Sequence, residues 1–389
     1  MGRELAVETL KPSELGEGAR ALWANFRAAN PALRSPYFDF RYVLAAGDNV
    51  PGAEVAVIAR QGQTLGFLPF QRRGSLIQPI AAPLTDYHGA IAAPGARIDL
   101  KAVVAALGAR RFRFSALVDA APAEAGHEAM IADLSDGLEA YLERRPGGFL
   151  KDKRRRARRL TEDHGPLDFR LTDQDEGMLD YIVGLKRDQM RRTGQHDVFT
   201  SPWTMGFIRD LADRGSADFG LRFAVLRAGG RVVAAELGLR SGDAYHLWFP
   251  VYEPEFSRYS PGALMTLETI RAAAEQEIAS VAFGPWGEAY KTDFAEPGIA
   301  VAEGETSVDG LSRSARDAAH RALALTPALR EASLRLGRRW DRIAACEPGL
   351  EGRLGAASQT LSDLARRRPK TSLGVSLGLS VGLATLLID

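Results

Sequence analysis

Glu236 interrupts an apolar run, following Val232-Val233-Ala234-Ala235 and preceding Leu237. On a central strand such a carboxylate is partly desolvated, and its pKa rises toward the range where it can take a proton. On an edge strand it is a surface glutamate. His246 is the second candidate proton acceptor. Alternation along Tyr245 to Tyr252 sends Tyr245, Leu247, Phe249 and Val251 to one face and His246, Trp248, Pro250 and Tyr252 to the other, where the imidazole is either packed or reactive. Downstream, Arg258-Tyr259-Ser260-Pro261-Gly262-Ala263 opens an apolar stretch of helical composition, Ala263 to Glu277. A helix start of this kind turns unpaired N–H groups and a positive dipole end toward a ligand, which makes an anion seat. Pro261 suits the first turn, Ser260 reads as the N-cap, and Gly262 admits a close ligand. A second strand, Ser280 to Phe283, leads to Tyr290 and Lys291. Tyr252, Tyr290 and Lys291 follow strands, where loops gather over a sheet edge and side chains meet substrate.

These residues need a sheet to hold them, and an internal repeat supplies it. Ala56-Val57-Ile58 aligns with Ala224-Val225-Leu226 at an offset of 168, carried without a gap through Gly62 and Gly230, Leu65 and Val233, Arg72 and Arg240, and Gly74 and Gly242. Each copy reads as a β-hairpin. Upstream, Ser35-Pro36-Tyr37 matches Ser201-Pro202-Trp203 at an offset of 166. Two copies of one α/β unit follow, with domains expected at 1–148 and 149–308, a basic helical extension at 309–370 and an apolar tail at 371–389.

Composition bounds what such a chain does. With 389 residues, 46% of them hydrophobic, it buries a sizeable core, and a net charge of +1 gives no global attraction to nucleic acid. Cys346 is the single cysteine, so there is neither a disulfide framework nor a cysteine-rich zinc site, and six scattered histidines lack ligand spacing. Met1 to Leu10 carries Arg3, Glu4 and Glu8 and has no signal-like apolar core. Gly147-Gly148 and Gly229-Gly230 are turn glycines outside any dinucleotide or phosphate-loop motif.

Lys151 to Arg159 holds seven basic residues in nine. As a helix it places Lys151, Arg155 and Arg158 on one face, with Leu150 and Leu160 anchoring its ends. It is either a solvated face or the cradle of a phosphate-rich ligand between the units. No aromatic residue is interleaved, which argues against base stacking and leaves DNA without a platform. In the first copy, Asp86 and His88 lie two apart in Asp86-Tyr87-His88-Gly89, on one side of an extended chain, and either cap a turn or hydrogen-bond a substrate hydroxyl or amide.

The basic run ending in Arg158-Arg159-Leu160, the strand Val232 to Ala235, Tyr252 with Arg258-Tyr259-Ser260-Pro261-Gly262, and Tyr290-Lys291 together resemble the CelD-like group of GNAT-type acyltransferases, related to the FemAB peptidyltransferases, over roughly residues 20–300. The holdfast-associated acetyltransferases are similar within that group. The resemblance implies an α/β fold of tandem GNAT-like domains and an N-acyltransferase that uses acetyl-CoA or another acyl-CoA. Its acceptor would be the amino sugars of an exopolysaccharide or its precursor, with no metal. It places the coenzyme pyrophosphate at Arg258 to Ala263, although the loop departs from the usual Arg/Gln-x-x-Gly-x-Gly/Ala spelling. Glu236 is then the first candidate base and His246 the second. Tyr290 can protonate a departing thiolate, and Lys291 can hold a phosphate or carboxylate. Two alternatives stay open: a FemAB-type transferase fed by aminoacyl-tRNA, and a regulatory module that senses a cyclic dinucleotide, with which Arg338 to Asp341 is compatible.

The last stretch differs in kind. Residues 309–370 carry 13 Lys and Arg against 7 Asp and Glu, a composition suited to a helix on anionic lipid or on a partner. Thr371 to Ile388 holds no charge, with Gly374, Gly378 and Gly382 spaced by four. Eighteen residues span only about 27 Å as a helix, short for a bilayer, so insertion and a docked tail both stay open. The expected location is the cytoplasm, peripheral or tail-anchored at the inner membrane.

Overall fold

The computed structural model describes residues 5–119, 126–174, 177–285 and 289–308, and parts of 340–358. Its first half runs β1 (Leu5–Leu10), α1 (Glu17–Ala29), α2 (Phe40–Asn49), β2 (Ala53–Arg60), β3 (Gln63–Arg73), β4 (Leu76–Pro79), β5 (Ile91–Ala92), α3 (Leu100–Ala106), β6 (Arg111–Val118) and β7 (His127–Asp133). A short α4 (Gly137–Glu143) leads to the second half. That half runs α5 (Phe149–His164), β8 (Leu167–Thr172), α6 (Met178–Thr193), α7 (Pro202–Asp213), β9 (Phe219–Ala228), β10 (Arg231–Ser241), β11 (Ala244–Tyr252), α8 (Pro261–Glu275), β12 (Ser280–Ala282) and β13 (Glu296–Ser307).

The repeat read from the sequence is a repeat of structure. β3 and β10 begin and end 168 residues apart. The register agrees as well. Ile58 pairs with Gly66 and Ala59 with Thr64, while Leu226 pairs with Ala234 and Arg227 with Val232, so Leu65 and Val233 occupy the same bulge. Ser35-Pro36 and Ser201-Pro202 each open the helical segment that precedes the hairpin. Parallel pairs complete the likeness, β4 with β6 and β11 with β12.

The described strands form one 13-stranded sheet in the order β1-β2-β3-β4-β6-β13-β7-β12-β11-β10-β9-β8, with β5 beside β3. The last strand of each half is exchanged: β7 pairs with β12 of the second half, β13 pairs with β6 of the first, and the two pair with each other. Each half therefore completes the other.

One face of the sheet packs α1, α2, α6 and α7 into a shared core through Trp23, Tyr42, Ile182, Phe207 and Leu211. The other face carries α8 over the second half, through Leu264, Met265, Leu267 and Ile270, and α3 over the first, through Val103 and Val104. An ion-pair cluster closes the seam. The buried Asp39 carboxylate accepts from Arg27 (3.0 Å), Arg41 (2.9 Å) and Ser241 Oγ (2.5 Å), and Arg41 continues to Asp218 (2.9 Å). Such a network is stable because each buried charge meets its counter-charge in good geometry.

Of the C-terminal extension, the segment around residues 340–347 docks on both halves. Arg73 donates to the carbonyls of Ala344 (2.7 Å) and Ala345, while Trp203 Nε1 (3.1 Å) and Ser201 Oγ (2.5 Å) donate to that of Cys346. Cys346 is buried, and burial pushes its thiol up to about 12, far from a reactive thiolate. Among the described residues, no helix is long and apolar enough to cross a membrane. The apolar tail and the pattern from Arg338 to Asp341 lie outside the described residues, save for Trp340.

Candidate active site

The second half contains a fork. β11 and β12 run parallel only from Ala244 with Ser280 to His246 with Ala282. β11 then continues to Tyr252 without that partner, while the chain after β12 turns away at Gly284. α8 starts just past the far end of β11, where a methyl on Gly262 would lie 4.0 Å from Tyr252 Cδ1. A strand edge that has no partner there among the described residues and a helix N-terminus meet here, two places where backbone donors go unpaired.

The seat is narrower than the sequence promised. Pro261 has no N–H, and Ala263 and Leu264 both donate to the Ser260 carbonyl (3.0 and 3.2 Å), so the Gly262 amide is the donor this first turn leaves over. Ser260 is not an N-cap acceptor: it takes the left-handed conformation (φ 52°), and its hydroxyl receives Arg156 Nη1 at 2.9 Å instead. A methyl group built on Gly262 would meet nothing closer than Tyr252 Cδ1 at 4.0 Å, so this corner is open. Arg258 turns away to Asp163 (2.9 Å), and Tyr259, which is buried, hydrogen-bonds Asp163 as well. That hydrogen bond is the main reason the Asp163 carboxyl is held below its usual range.

The basic run is α5, and its anchors are as expected: Leu160 is buried and Leu150 packs against the second-half core. Arg155 pairs with Asp152 (2.6 Å) and Arg158 with Glu162 (3.5 Å), both exposed on their own helix, so neither points to the seat. Arg156, which the sequence reading passed over, is the residue that reaches it, steadied by Asp152 at 2.8 Å. Its position one turn after Asp152 was the available signal.

A second group gathers at the root of the fork. Asp86 Oδ2 lies 2.8 Å from His246 Nε2, joining the first half to β11. A methyl on Gly284, itself at φ 84°, would lie 3.4 Å from Asp86 Oδ2, 3.8 Å from Lys291 Nζ and 4.0 Å from His246 Cε1. Tyr37 and Tyr87 hold the imidazole edge-on at 5.0 and 5.6 Å. Lys291 is buried here, while Tyr290 and Tyr252 stand 50% and 42% exposed and are the large apolar side chains most open to solvent among the described residues.

His88 does not join Asp86. It is buried in a bridge to β6, and its Nε2 accepts the amides of Ser115 and Ala116, both at 3.0 Å. Burial holds it neutral, with its pKa lowered to about 3. With Nε2 spent on two backbone amides of the first half, His88 faces away from Asp86, which corrects the paired reading of Asp86 and His88.

Glu236 is on a central strand and fully buried, and burial raises its pKa to about 8. It lies on the α8 side of the sheet, accepting from Tyr245 at 3.1 Å, while neighbouring His246 faces the other side toward Tyr37. Gly238 makes this contact feasible, since any β-carbon there would collide with Tyr245 Oη at 1.9 Å. A bulge between Leu237 and Gly238 breaks the expected alternation in β11. Phe249 and Val251 therefore share a core with Trp248, opposite Leu247.

The corresponding fork of the first half is closed. Residues 88–92 fill it, through the His88 bridge and β5, and the Asp99 carboxylate caps α3 by accepting the amides of Lys101 (3.0 Å) and Ala102 (3.1 Å). An acidic cap repels an anionic ligand. Among the described residues, an open fork facing an uncapped helix start occurs in the second half alone. No group of metal-binding side chains occurs among the described residues.

A family model described as an acetyltransferase (GNAT) domain matches residues 148–292, the stretch that holds α5, β11, α8 and the fork. No curated protein matches the sequence. Among solved structures, FemX superposes with a TM-score of 0.48 at 11% identity, over 79% of this chain and 99% of that one. The C-terminal domain of a putative lysylphosphatidylglycerol synthetase from Agrobacterium fabrum gives 0.47 at 13%, over 76% and 94%. A tandem GNAT protein from the clavulanic acid biosynthesis pathway gives 0.45 at 12%, over 79% and 99%. With the duplicated topology, this is an α/β fold of two like units, the second of which is the stretch that the acetyltransferase (GNAT) domain model matches.

Proposed function

We propose that this chain is an acyl-CoA-dependent N-acyltransferase, with acetyl-CoA as the favoured donor and an amino sugar of an exopolysaccharide or its precursor as acceptor. The observation that carries the reading is the fork: β11 parts from β12 after His246, and α8 presents an uncapped first turn at its open end, inside the GNAT-matching stretch. The donor's pyrophosphate lies against Gly262 N–H and Arg156, and its thioester runs along the open edge of β11 toward His246. His246 replaces Glu236 as the base, because Glu236 lies on the α8 face of the sheet against Tyr245, whereas His246 meets Asp86 at the root of the fork. Tyr290 supplies a proton to the leaving thiolate, and Lys291 steadies negative charge at the root of the fork. Tyr252 and Tyr290 offer flat, exposed faces to a sugar ring beside the opening.

Acyl-CoA is favoured over aminoacyl-tRNA because Arg155 and Arg158 are engaged with carboxylates of their own helix, which reduces the basic face left for an RNA backbone. The test combines two measurements on the full chain. Acetyl-CoA should raise the melting temperature, since it binds the native state alone. Mass spectrometry of glucosamine oligomers incubated with acetyl-CoA should then show added acetyl groups. Neither a thermal shift nor a product with acetyl-CoA, together with transfer from charged tRNA, would reverse the order of the two readings.

A further inference from the structure

We infer that the two halves build one proton-accepting pair, in which Asp86 of the first half fixes the tautomer of His246 in the second, so that Nδ1 takes the proton of the acceptor amine. This rests on the acyltransferase reading and adds to it the group that performs the proton transfer and the residue that orients it.

The argument begins with what each atom can do. An ionised carboxylate only accepts hydrogen bonds, so at 2.8 Å from Asp86 Oδ2 the Nε2 atom of His246 is the one that carries hydrogen. A neutral imidazole has a single N–H, which leaves the lone pair on Nδ1. Nδ1 is buried and has no hydrogen-bond partner. The hydroxyls of Tyr37 and Tyr87, on the two rings that flank the imidazole, are also buried without a well-formed hydrogen bond, though they face the backbones of Asp86 and Gly284. The lone pair of Nδ1 is thus left without a donor, and the two hydroxyls beside the ring are weakly engaged. An N–H donor from a ligand would satisfy Nδ1.

The orienting contact also runs between two halves of like topology. The first-half fork is closed by residues 88–92, and the turn just before them brings Asp86 to the second-half fork. Asp86 is thus a positioning residue and His246 the base. As the amine nitrogen bonds to the thioester carbon, its proton passes to Nδ1. The C–S bond breaks, and the thiolate takes a proton from the imidazolium or from Tyr290, which recovers its own from the imidazolium, leaving an amide and a free thiol.

Long-range 1H–15N NMR of the full chain labelled with 15N-histidine reads the tautomer, with His246 assigned by its NOEs to Tyr37 and Tyr87. The expected result is hydrogen on Nε2 and a bare Nδ1. Asp86→Asn, whose amide can donate to Nε2, should move that hydrogen to Nδ1. It should also lower kcat on glucosamine oligomers by about 10²–10⁴-fold while acetyl-CoA affinity holds. Hydrogen on Nδ1 in the wild-type chain overturns the inference without any variant, and so does Asp86→Asn turnover within about threefold of wild type. Wild-type protein that neither binds acetyl-CoA nor transfers from it removes the acyltransferase reading instead, and the base role falls with it whatever the tautomer.

Discussion

Tyr245 donates its hydroxyl hydrogen to Glu236 Oε1 at 3.1 Å, nine residues away along the chain, where neither side chain reaches solvent. The carboxyl is therefore a neutral acid near pH 7, its pKa raised to about 8 by burial. Below about pH 4.5 it is protonated in folded and unfolded chains alike. As the pH rises, the unfolded chain ionises while the native one keeps its proton, so stability drains away until about pH 8. Glu236→Gln keeps the acceptor for Tyr245 and abolishes that slope. Urea denaturation at about pH 5 and about pH 8 should show the variant gaining roughly 2–4 kcal/mol on wild type between the two, with turnover little changed.

Gly262→Leu fills the one open corner of the seat. Space for the side chain exists, since nothing lies within 4 Å of a methyl there except Tyr252 Cδ1 at 4.0 Å, so the fold should tolerate it. Calorimetry should show acetyl-CoA affinity reduced by at least about tenfold, which is about 1.4 kcal/mol, with a melting temperature close to wild type.

Two arginines of α5, two residues apart, should part company. Arg156→Ala removes the guanidinium held at Ser260 and should weaken acetyl-CoA binding by about 1–2 kcal/mol, with a flatter salt dependence. Arg158→Ala removes only an exposed pair with Glu162 and should leave binding unaltered. Titration of both variants at low and high salt checks the contrast.

How far the sequence could be read is plainest in these residues. The offset of 168 revealed the hairpins because a duplicated bulge and turn keep their spacing in the chain. The strand Ala244–Tyr252 and the helix from Pro261 were likewise legible from period and punctuation. Arg156 was hidden among seven basic residues, since a run of like charges does not say which member turns inward. His88 and Asp86 looked alike because alternation gives a face and not a partner, and only the fold shows two backbone amides waiting for one and His246 for the other. Strand exchange left no mark at all, as a strand's hydrophobic pattern does not name its neighbour.

Gly284 should tolerate no substitution. At φ 84° an alanine is strained by about 1–2 kcal/mol, and its methyl would press toward the carboxylate of Asp86 at 3.4 Å. Gly284→Ala should lower the urea midpoint and reduce kcat more than it alters acetyl-CoA affinity, which steady-state kinetics alongside calorimetry will separate.

The crossed strands also govern how the polypeptide is made. When β7 leaves the ribosome, both of its eventual neighbours, β12 and β13, are still untranslated, and the edge of β6 waits for β13 as well. The opening half is obliged to idle with raw sheet edges until the closing strands arrive. A nascent chain stalled between the halves is accordingly a sticky, half-zipped object, and a gene cut there would yield two aggregating fragments whose recovery depends on finding each other.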